Sequence, residues 1–354
     1  MSNRQRTAVR RRSDPSQTAK PAAKESPVAV LIHPSQFPAA IEEAFCASLQ
    51  SRRMNHKFHY DTPKQALRWL RVHEAFSPAR QDLSCRAAYE SGADAAARLL
   101  GRGDIDVVNL GCGGGQKELG LLRALHKLHP KRRVRYVPTD VSVSLTLVAR
   151  EAALRAGMSP TDCAPLVLDL ARAHDWGEAL QSVLTPGVQR VVTFFGMLPN
   201  FSPTEALPRL AGLLAPQDVL LVSANLAPGK NYAAGVRKIL QSYDNALTAE
   251  WLFSVLADLG VAQEDGRMEF RVARCPEGSG LLRVEADFVF RRACVLHYGG
   301  REWRCKRGER FGLFFSYRHT PERVKELFGH HGLLVHKQWL NSAGDEGVFL
   351  QQRL

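Results

Sequence analysis

Four glycines and one cysteine, Gly111 to Gly115, stand between an apolar run and a helical pattern in VVNLGCGGGQKELGLL (107–122). A glycine-rich turn between a strand and a helix lets a ligand approach the main chain and the helix N-terminus. Phosphates, sugars and amino-acid carboxylates can all use such a turn. The spacing therefore predicts a ligand site without naming the ligand.

Two carboxylates follow later apolar runs. Asp140 closes RVRYVPTD, and Asp169 follows LVL in APLVLDL. In a doubly wound sheet the ligand lies outside the carboxyl ends of the strands, beside the turn after the first strand. Asp140 is predicted to accept hydrogen bonds from ribose hydroxyls, and Asp169 to reach the exocyclic amine of an adenine. A helix-capping role for Asp140, and a capping or surface role for Asp169, are the alternatives.

The elements that must position these residues alternate regularly. Five apolar runs separated by helical segments predict a parallel, doubly wound α/β sheet: DVVNL, RVRYVP, APLVLDL, VQRVVTFF and DVLLVSA. The alternation stops after residue 230, where two helical stretches precede runs that look antiparallel and half-exposed. The final runs LLVHKQWL and GVFLQQRL predict a hairpin that adds an antiparallel edge to the first sheet.

Composition narrows the classes of partner. The chain has 354 residues and a net charge of +13, of which residues 1–26 carry seven basic and two acidic side chains. This Ser, Pro, Ala and Arg-rich tail is predicted to be disordered, either as a solvated extension or as a tether to an anionic surface. No apolar run is long enough for a membrane span, and no secretory signal is present, so a cytoplasmic protein without a membrane partner is expected.

The cysteines and histidines do not form a metal-binding pattern. Seven cysteines are scattered without a C-x-x-C pair, and twelve histidines show no H-E-x-x-H spacing. Reduced thiols, no disulfide framework and no metal site are therefore expected.

The form V-x-N-L-G-C-G-x-G with a following acidic strand end resembles motifs I and II of class I methyltransferases. Their cofactor, S-adenosylmethionine, competes here with a dinucleotide, which needs a turn that cradles a pyrophosphate. Six fragments in order resemble the histidine-specific Nα-methyltransferase family, best known for trimethylating histidine on the way to ergothioneine: KFHYDTPKQALRWLRVHEAFSPAR, NLGCGGGQK, YVPTDVS, FFGMLPNFSPTEAL, SYDNALTAEWLFSVL and GERFGLFFSYRHTPERVKELF.

The resemblance implies a Rossmann-like class I fold with a second α+β domain. Residues 81–230 and 318–354 would form the cofactor domain, and residues 27–80 and 231–317 the substrate domain. S-adenosylmethionine is the implied cofactor. Its implied binding residues are Gly111, Cys112, Gly113, Gly115, Lys117, Asp140 and Asp169.

The resemblance also implies substrate residues. Asn200 of PNF and Tyr243 of SYDN match the asparagine and tyrosine that anchor the substrate carboxylate in the family. The family's T-E-x-S-x-K, where glutamate and serine hold the imidazole, reads Leu313 to Arg318 here, so Ser316 is retained and Phe314 replaces the glutamate. Losing that anion leaves an imidazole N–H unpaired, which argues against histidine as substrate.

The family's Y-Y-P-T-R reads Phe76 to Arg80, which places Ser77 at its second tyrosine. Tyr243, Ser77 or a water are the candidates for taking the proton of the amine. The expected activity is S-adenosylmethionine-dependent N-methylation of the α-amino group of an amino acid or its derivative, with an aromatic or aliphatic side chain. The expected protein is a monomer that acts on a small-molecule amine.

Three alternatives stay open: histidine Nα-methylation, a non-catalytic cofactor-binding homologue, and a nucleic-acid methyltransferase. Nucleic acid is not favoured as a partner, because no N-P-P-Y-like element follows the fourth strand, where GMLPNF stands instead.

Overall fold

The computed structural model describes residues 27–354, so the tail predicted to be disordered lies outside the described residues. The strands are β1 Leu31–Ile32, β2 Ile105–Leu110, β3 Val134–Asp140, β4 Leu166–Val167, β5 Gln189–Phe194, β6 Val219–Asn225, β7 Gly266–Arg274, β8 Leu282–Phe290, β9 Cys294–Tyr298, β10 Arg301–Cys305, β11 Arg310–Arg318, β12 Leu333–Leu340 and β13 Glu346–Arg353.

The helices are α1 Pro38–Ser51, α2 Pro63–Phe76, α3 Pro78–Gln81, α4 Leu83–Leu99, α5 Leu119–Leu128, α6 Val143–Arg155, α7 Trp176–Leu180, α8 Pro203–Leu213, α9 Tyr232–Tyr243, α10 Ala246–Asp258 and α11 Pro321–Gly329. Short 3-10 turns cover Pro34–Gln36, His56–His59, Pro160–Asp162, Leu198–Asn200 and Gln263–Asp265. In residues 27–354, no helix combines the length and apolarity that a membrane crossing requires.

The large sheet has the strand order β1-β4-β3-β2-β5-β6-β13-β12. Its first six strands are parallel, and β13 and β12 join as antiparallel neighbours. The predicted parallel sheet with an antiparallel C-terminal edge is therefore confirmed. The turn after β2 lies at the middle of this sheet, where the strand order reverses, which is where ligands bind in such folds.

Both faces of the large sheet are covered. Buried leucines of α5, such as Leu121 and Leu125, pack with alanines of α4 on one face. Trp176 of α7, Leu207 of α8 and Phe328 of α11 belong to the core on the other. Burial on both faces explains why β2 is mostly apolar instead of alternating. Its two polar residues are one aspartate and one asparagine.

One strand of this sheet comes from outside residues 81–230 and 318–354. The two-residue strand β1 pairs in parallel with β4, and His33 N donates to Val167 O at 2.9 Å. The N-terminal segment thus forms the outer edge of the large sheet, next to the strand that precedes Asp169.

A second, antiparallel sheet has the order β11-β8-β7, and β9 and β10 form a separate hairpin. These strands enclose a core with α1 and α10 that contains Leu49, Trp251, Phe288 and Phe311. The expectation of half-exposed strands is wrong for the central strand β8, whose residues are mostly buried on both faces.

The buried acids of β8 explain that difference. Glu285 and Asp287 on its polar face are each less than a tenth exposed, and side chains from the two flanking strands cover them. Arg271 pairs with both acids, and Arg310 Nη1 lies 3.2 Å from Asp287 Oδ2. Paired charges therefore bury a strand face that its alternating sequence presents as polar.

Candidate functional site

The glycine turn after β2 is confined on two sides. Gly113 and Gly115 have φ angles of +49° and +69°, which non-glycine residues rarely adopt. A Cβ on Gly113 would lie 2.5 Å from Trp69 of α2, and one on Gly115 would lie 2.8 Å from the Cα of Ala149 in α6. Neither position has space for a side chain, so the backbone itself forms this part of the wall.

Asp140 is fixed against that turn. Its Oδ2 accepts a hydrogen bond from Gly113 N at 2.9 Å, and its Oδ1 accepts one from Ser142 N at 3.2 Å. Burial raises the pKa of Asp140 to about 6, against the effect of these N–H groups. The N-cap of α6 is Ser142, whose Oγ accepts from Leu145 N, so Asp140 itself is not the cap.

Asp169 is held by a cation that the sequence reasoning missed. Lys57 Nζ lies 3.0 Å from Asp169 Oδ2, and both side chains are 2% exposed. Lys57 also donates to Gln36 Oε1 at 3.0 Å, and Asp169 Oδ1 accepts from Ala171 N. Asp169 faces the cavity as one member of a buried ion pair. No local pattern around Lys57 signals a partner so distant in the chain.

Lys117 and Glu118 complete the turn. Lys117 Nζ lies 3.4 Å from Glu346 Oε1 of β13 and 5.1 Å from the ring centroid of Tyr89. Tyr89 donates a hydrogen bond to the same carboxylate. Burial raises the pKa of Glu118 to about 7, although Lys117 opposes the shift.

A cavity of about 990 Å³ runs from this turn to the second sheet. Every residue predicted for the site lines it: Ser77, Gly111, Cys112, Gly113, Gly115, Lys117, Asp140, Asp169, Asn200, Tyr243, Phe314 and Ser316. Residues from the predicted cofactor and substrate segments therefore share one continuous space.

At its far wall, α9 meets β11. Tyr243 OH donates to Ser316 Oγ at 3.1 Å, and Arg318 Nη2 donates to the same phenol oxygen. Arg318 is 4% exposed. The other buried cations of the cavity wall have partners, Lys57 with Asp169 and Arg283 with Glu285. Within residues 27–354, no carboxylate lies within 4.0 Å of Arg318.

Arg318 was not predicted as a site residue, although a signal for it was present in the sequence. It occupies the last position of the motif that contributes Ser316, where the family has lysine. Burial of an unpaired guanidinium is costly, since its charge has lost water without gaining an anion.

The wall beside Ser316 is aromatic. Phe314 stacks on His56 with ring centroids 5.0 Å apart, and Trp251 approaches its edge at 5.8 Å. His56 Nε2 accepts a hydrogen bond from Phe315 N, and burial lowers the pKa of His56 to about 3, with further lowering from His59 and Arg283. The imidazole is therefore neutral, so the rings of His56 and Trp251 that pack against Phe314 carry no charge.

Neutral groups also line the cavity near the turn. Ser77 precedes α3 and is 8% exposed. One helical turn earlier, burial lowers the pKa of His73 to about 3, so it is uncharged at neutral pH. Burial raises the pKa of Tyr60, and Asp140 at one end of the cavity and Tyr243 at the other raise it further. Tyr60 is therefore a neutral phenol.

The residues fit the implied cofactor. The turn has no room for a Cβ, and the Asp140 carboxylate is buried beside it with backbone donors on each oxygen. Hydroxyl groups of a ribose suit the remaining acceptor capacity of that carboxylate. Lys117, at the same wall, would place a cation near the carboxylate of a methionine moiety.

Two solved methyltransferase structures are distant likenesses of this chain. Magnesium protoporphyrin IX methyltransferase from Synechocystis PCC 6803, with bound S-adenosylhomocysteine, is 14% identical with a TM-score of 0.39, covering 84% of this chain and 97% of that chain. The 1,6-didemethyltoxoflavin-N1-methyltransferase of Burkholderia thailandensis, with bound 1,6-didemethyltoxoflavin and S-adenosylhomocysteine, is 12% identical with a TM-score of 0.38, covering 85% of this chain and 91% of that chain. No curated protein matches.

The match to a sequence family is extensive. The pattern described as "Histidine-specific methyltransferase, SAM-dependent" matches residues 48–353, which include the glycine turn and every strand after β1. The mostly parallel sheet with its antiparallel C-terminal pair has the topology expected of a class I methyltransferase, and the family depends on S-adenosylmethionine. This chain belongs to the histidine-specific, S-adenosylmethionine-dependent methyltransferase family.

Proposed function

We propose that this enzyme transfers a methyl group from S-adenosylmethionine to the α-amino group of an amino acid, or a close derivative, whose side chain is aromatic or aliphatic. The observation that carries the proposal is the single cavity that joins Asp140 and the glycine turn to Tyr243, Ser316 and Phe314. Family membership supports the methyl transfer, and the residues of the far wall support the substrate class.

The polar end of that wall supports a substrate with a free carboxylate. Asn200 supplies a neutral amide, Tyr243 a phenol, and Arg318 a buried cation without a carboxylate partner among residues 27–354. A substrate carboxylate would supply the missing anion and form charge-assisted hydrogen bonds. The same groups would fix the amine relative to the cofactor end of the cavity.

The aromatic end supports an uncharged side chain. Phe314 stands where the family has glutamate, and the neighbouring His56 is neutral. A histidine ring at this wall would leave an N–H without the anion that binds it in the family, and that loss costs more than the mere removal of a contact. Aromatic or aliphatic surface loses no hydrogen bond there.

When bound, S-adenosylmethionine supplies an electrophilic methyl group on a sulfonium. The chain's part is to orient a neutral amine toward that methyl and to exclude water, which raises the effective concentration of the amine at the reacting centre. The amine proton must leave before the attack, and Tyr243, Ser77 or a bound water would pass it on to bulk water, accepting that proton as its own is released. None of these needs to carry charge in the resting enzyme.

The test is a screen of amino acids with cofactor carrying an isotopically labelled methyl group, read by mass spectrometry of the products. We expect label on the α-nitrogen of aromatic or aliphatic amino acids, with a higher kcat/KM than for histidine. Preferred methylation of histidine would contradict the substrate class and leave the family's own reaction. Cofactor binding without transfer to any amine would contradict catalysis.

A further inference from the structure

The hairpin β9–β10 brings two cysteines face to face. Gly299 and Gly300, with φ of +56° and +72°, form the two-residue turn between the strands. The two strands pair without a register shift from that turn to the open end of the hairpin. Cys294 therefore lies directly opposite Cys305 at the open end. Directly opposed residues of an antiparallel pair point to the same face of the sheet.

That face is the buried one. Leu296 and Cys305 are 0% and 1% exposed, whereas Val295, His297 and Arg304 on the other face are exposed. Cys294 is half-buried, and its thiol lies 3.8 Å from Arg292 O. The hairpin therefore holds one protected and one accessible thiol on the same side.

The backbone spacing suits a covalent bond. Opposed residues in antiparallel strands have Cα atoms about 4.5 to 5.5 Å apart, within the range of about 4.4 to 6.8 Å that disulfides span. The thiol of Cys294 now contacts Arg292 O, so the bond requires a rotation about χ1 of Cys294 away from that contact.

We propose that Cys294 and Cys305 are a thiol–disulfide modification site, which a small-molecule disulfide such as oxidised glutathione converts to an intrachain disulfide. The accessible thiolate of Cys294 attacks one sulfur of the oxidant, and one glutathione thiolate leaves. The thiolate of Cys305 then attacks Cys294 Sγ in the mixed disulfide, and the second glutathione leaves. The two protein thiols lose two electrons and two protons, which reduce one oxidised glutathione to two glutathione thiols.

The order of these steps follows from burial. Cys305 is enclosed, and burial raises its pKa to about 11, so it reacts slowly with an external oxidant; the mixed disulfide on Cys294 then holds a sulfur beside its small thiolate fraction. Cys294 meets the oxidant first because only its side chain is accessible.

The hairpin touches a helix of the substrate cavity. The Tyr298 ring lies 4.3 Å from that of Phe45 in α1, and Arg52 donates to Arg304 O at 2.7 Å. Ala44 and Ser48 of the same helix line the cavity. An oxidised hairpin would thus brace the element against which α1 packs, and this inference does not depend on the identity of the substrate.

The test treats the full-length folded protein with oxidised glutathione, alkylates the remaining thiols, and maps the modified peptides by mass spectrometry. We expect two of the seven thiols to become protected, in a Cys294–Cys305 linked peptide, with reversal by dithiothreitol and a higher Tm for the oxidised form. Cys294→Ser and Cys305→Ser each remove the linked peptide. Cys46→Ser is the matched control, because the thiol of Cys46 in α1 also lies beside this hairpin, 4.0 Å from Arg301 Nη1.

Three results would each overturn the inference. The first is a mixed disulfide that persists on Cys294 while Cys305 remains free, since that shows the pair cannot close. The second is a linked peptide that joins Cys46 to either cysteine. The third is protection of neither hairpin thiol at an oxidant concentration that modifies a surface-thiol reference protein.

Discussion

The Tyr243 hydroxyl lies between two residues of one strand, donating to Ser316 Oγ at 3.1 Å and accepting from Arg318. Ser316 and Arg318 are two positions apart on β11, so their side chains share a face of the sheet. The end of α9 thus closes on a polar patch formed by alternate residues of a strand. This patch ties the position of the phenol to the guanidinium, and changes to either are expected to appear together in substrate binding.

Replacing Arg318 is expected to affect binding and stability in opposite directions. Arg318→Met removes the buried cation, so the KM for a substrate amino acid should rise by about 10- to 100-fold, equivalent to a charged hydrogen bond of about 1.5–3 kcal/mol. Without substrate, the free energy of unfolding should stay unchanged or rise, because an uncompensated charge no longer has to be buried. Steady-state kinetics and urea unfolding measure the two effects. An equal loss with the amino acid and its carboxamide would contradict carboxylate binding.

Phe314→Glu is expected to move the substrate preference toward histidine. The new carboxylate would face the position of the substrate side chain and could accept an imidazole N–H, while apolar side chains would meet a buried charge. The ratio of kcat/KM for histidine to that for the best aromatic or aliphatic substrate should increase at least about tenfold. Phe314→Leu is the control for lost packing alone. If both variants change the ratio equally, the charge at this position does not determine selectivity.

Cofactor affinity is expected to fall in acid through Asp140. Its pKa of about 6 means that the carboxylate becomes protonated as the pH falls through 6, losing acceptor capacity for ribose hydroxyls and its attraction to a cationic cofactor. Between pH 7.5 and 5.0 this single group should weaken binding by about tenfold. Calorimetric titration with S-adenosylhomocysteine measures it. Asp140→Asn should bind weakly at both pH values and lack this component, so an unaltered pH profile in that variant would assign the effect to another group, such as Glu118.

Lys57 is expected to be more important for stability than its place on a short turn suggests. Lys57→Met leaves Asp169 buried without its cation, which typically costs about 3–5 kcal/mol of unfolding free energy. The double variant Lys57→Met/Asp169→Leu should recover most of that loss, because no charge remains unpaired. Urea unfolding of the two single variants and the double variant gives the coupling. Additive losses would show that the ion pair is not the source of the effect.

The parallel strands and the terminal hairpin could be predicted because each carries a local signal, either an apolar run or an alternating pattern. Strand β10 carries no such signal, since REWRC has charged residues at three of five positions and takes its conformation from pairing with β9. Strand β1 has only two residues and forms by pairing with β4.

The candidate site divides in the same way. Its glycine turn and Asp140 have fixed positions relative to predicted strands, so their meeting follows from the topology. The contacts of Lys57 with Asp169 and of Arg318 with Tyr243 join residues far apart in the chain, and neither partner constrains the local sequence of the other. The roles assigned to the individual site residues remain predictions.

The pairing of β1 with β4 determines when this edge of the sheet can form during synthesis of the chain. During synthesis, β1, Ser35 and Lys57 are made long before their partners. The Asp169 amide that donates to Ser35, for example, lies 134 residues later in the chain. The N-terminal segment cannot pair with the sheet until β4 has been made. Loop closure over such a span slows folding. The edge beside Asp169 is therefore expected to form only after about half of the chain has been made, while β5, β6, β12 and β13 are still to be synthesised.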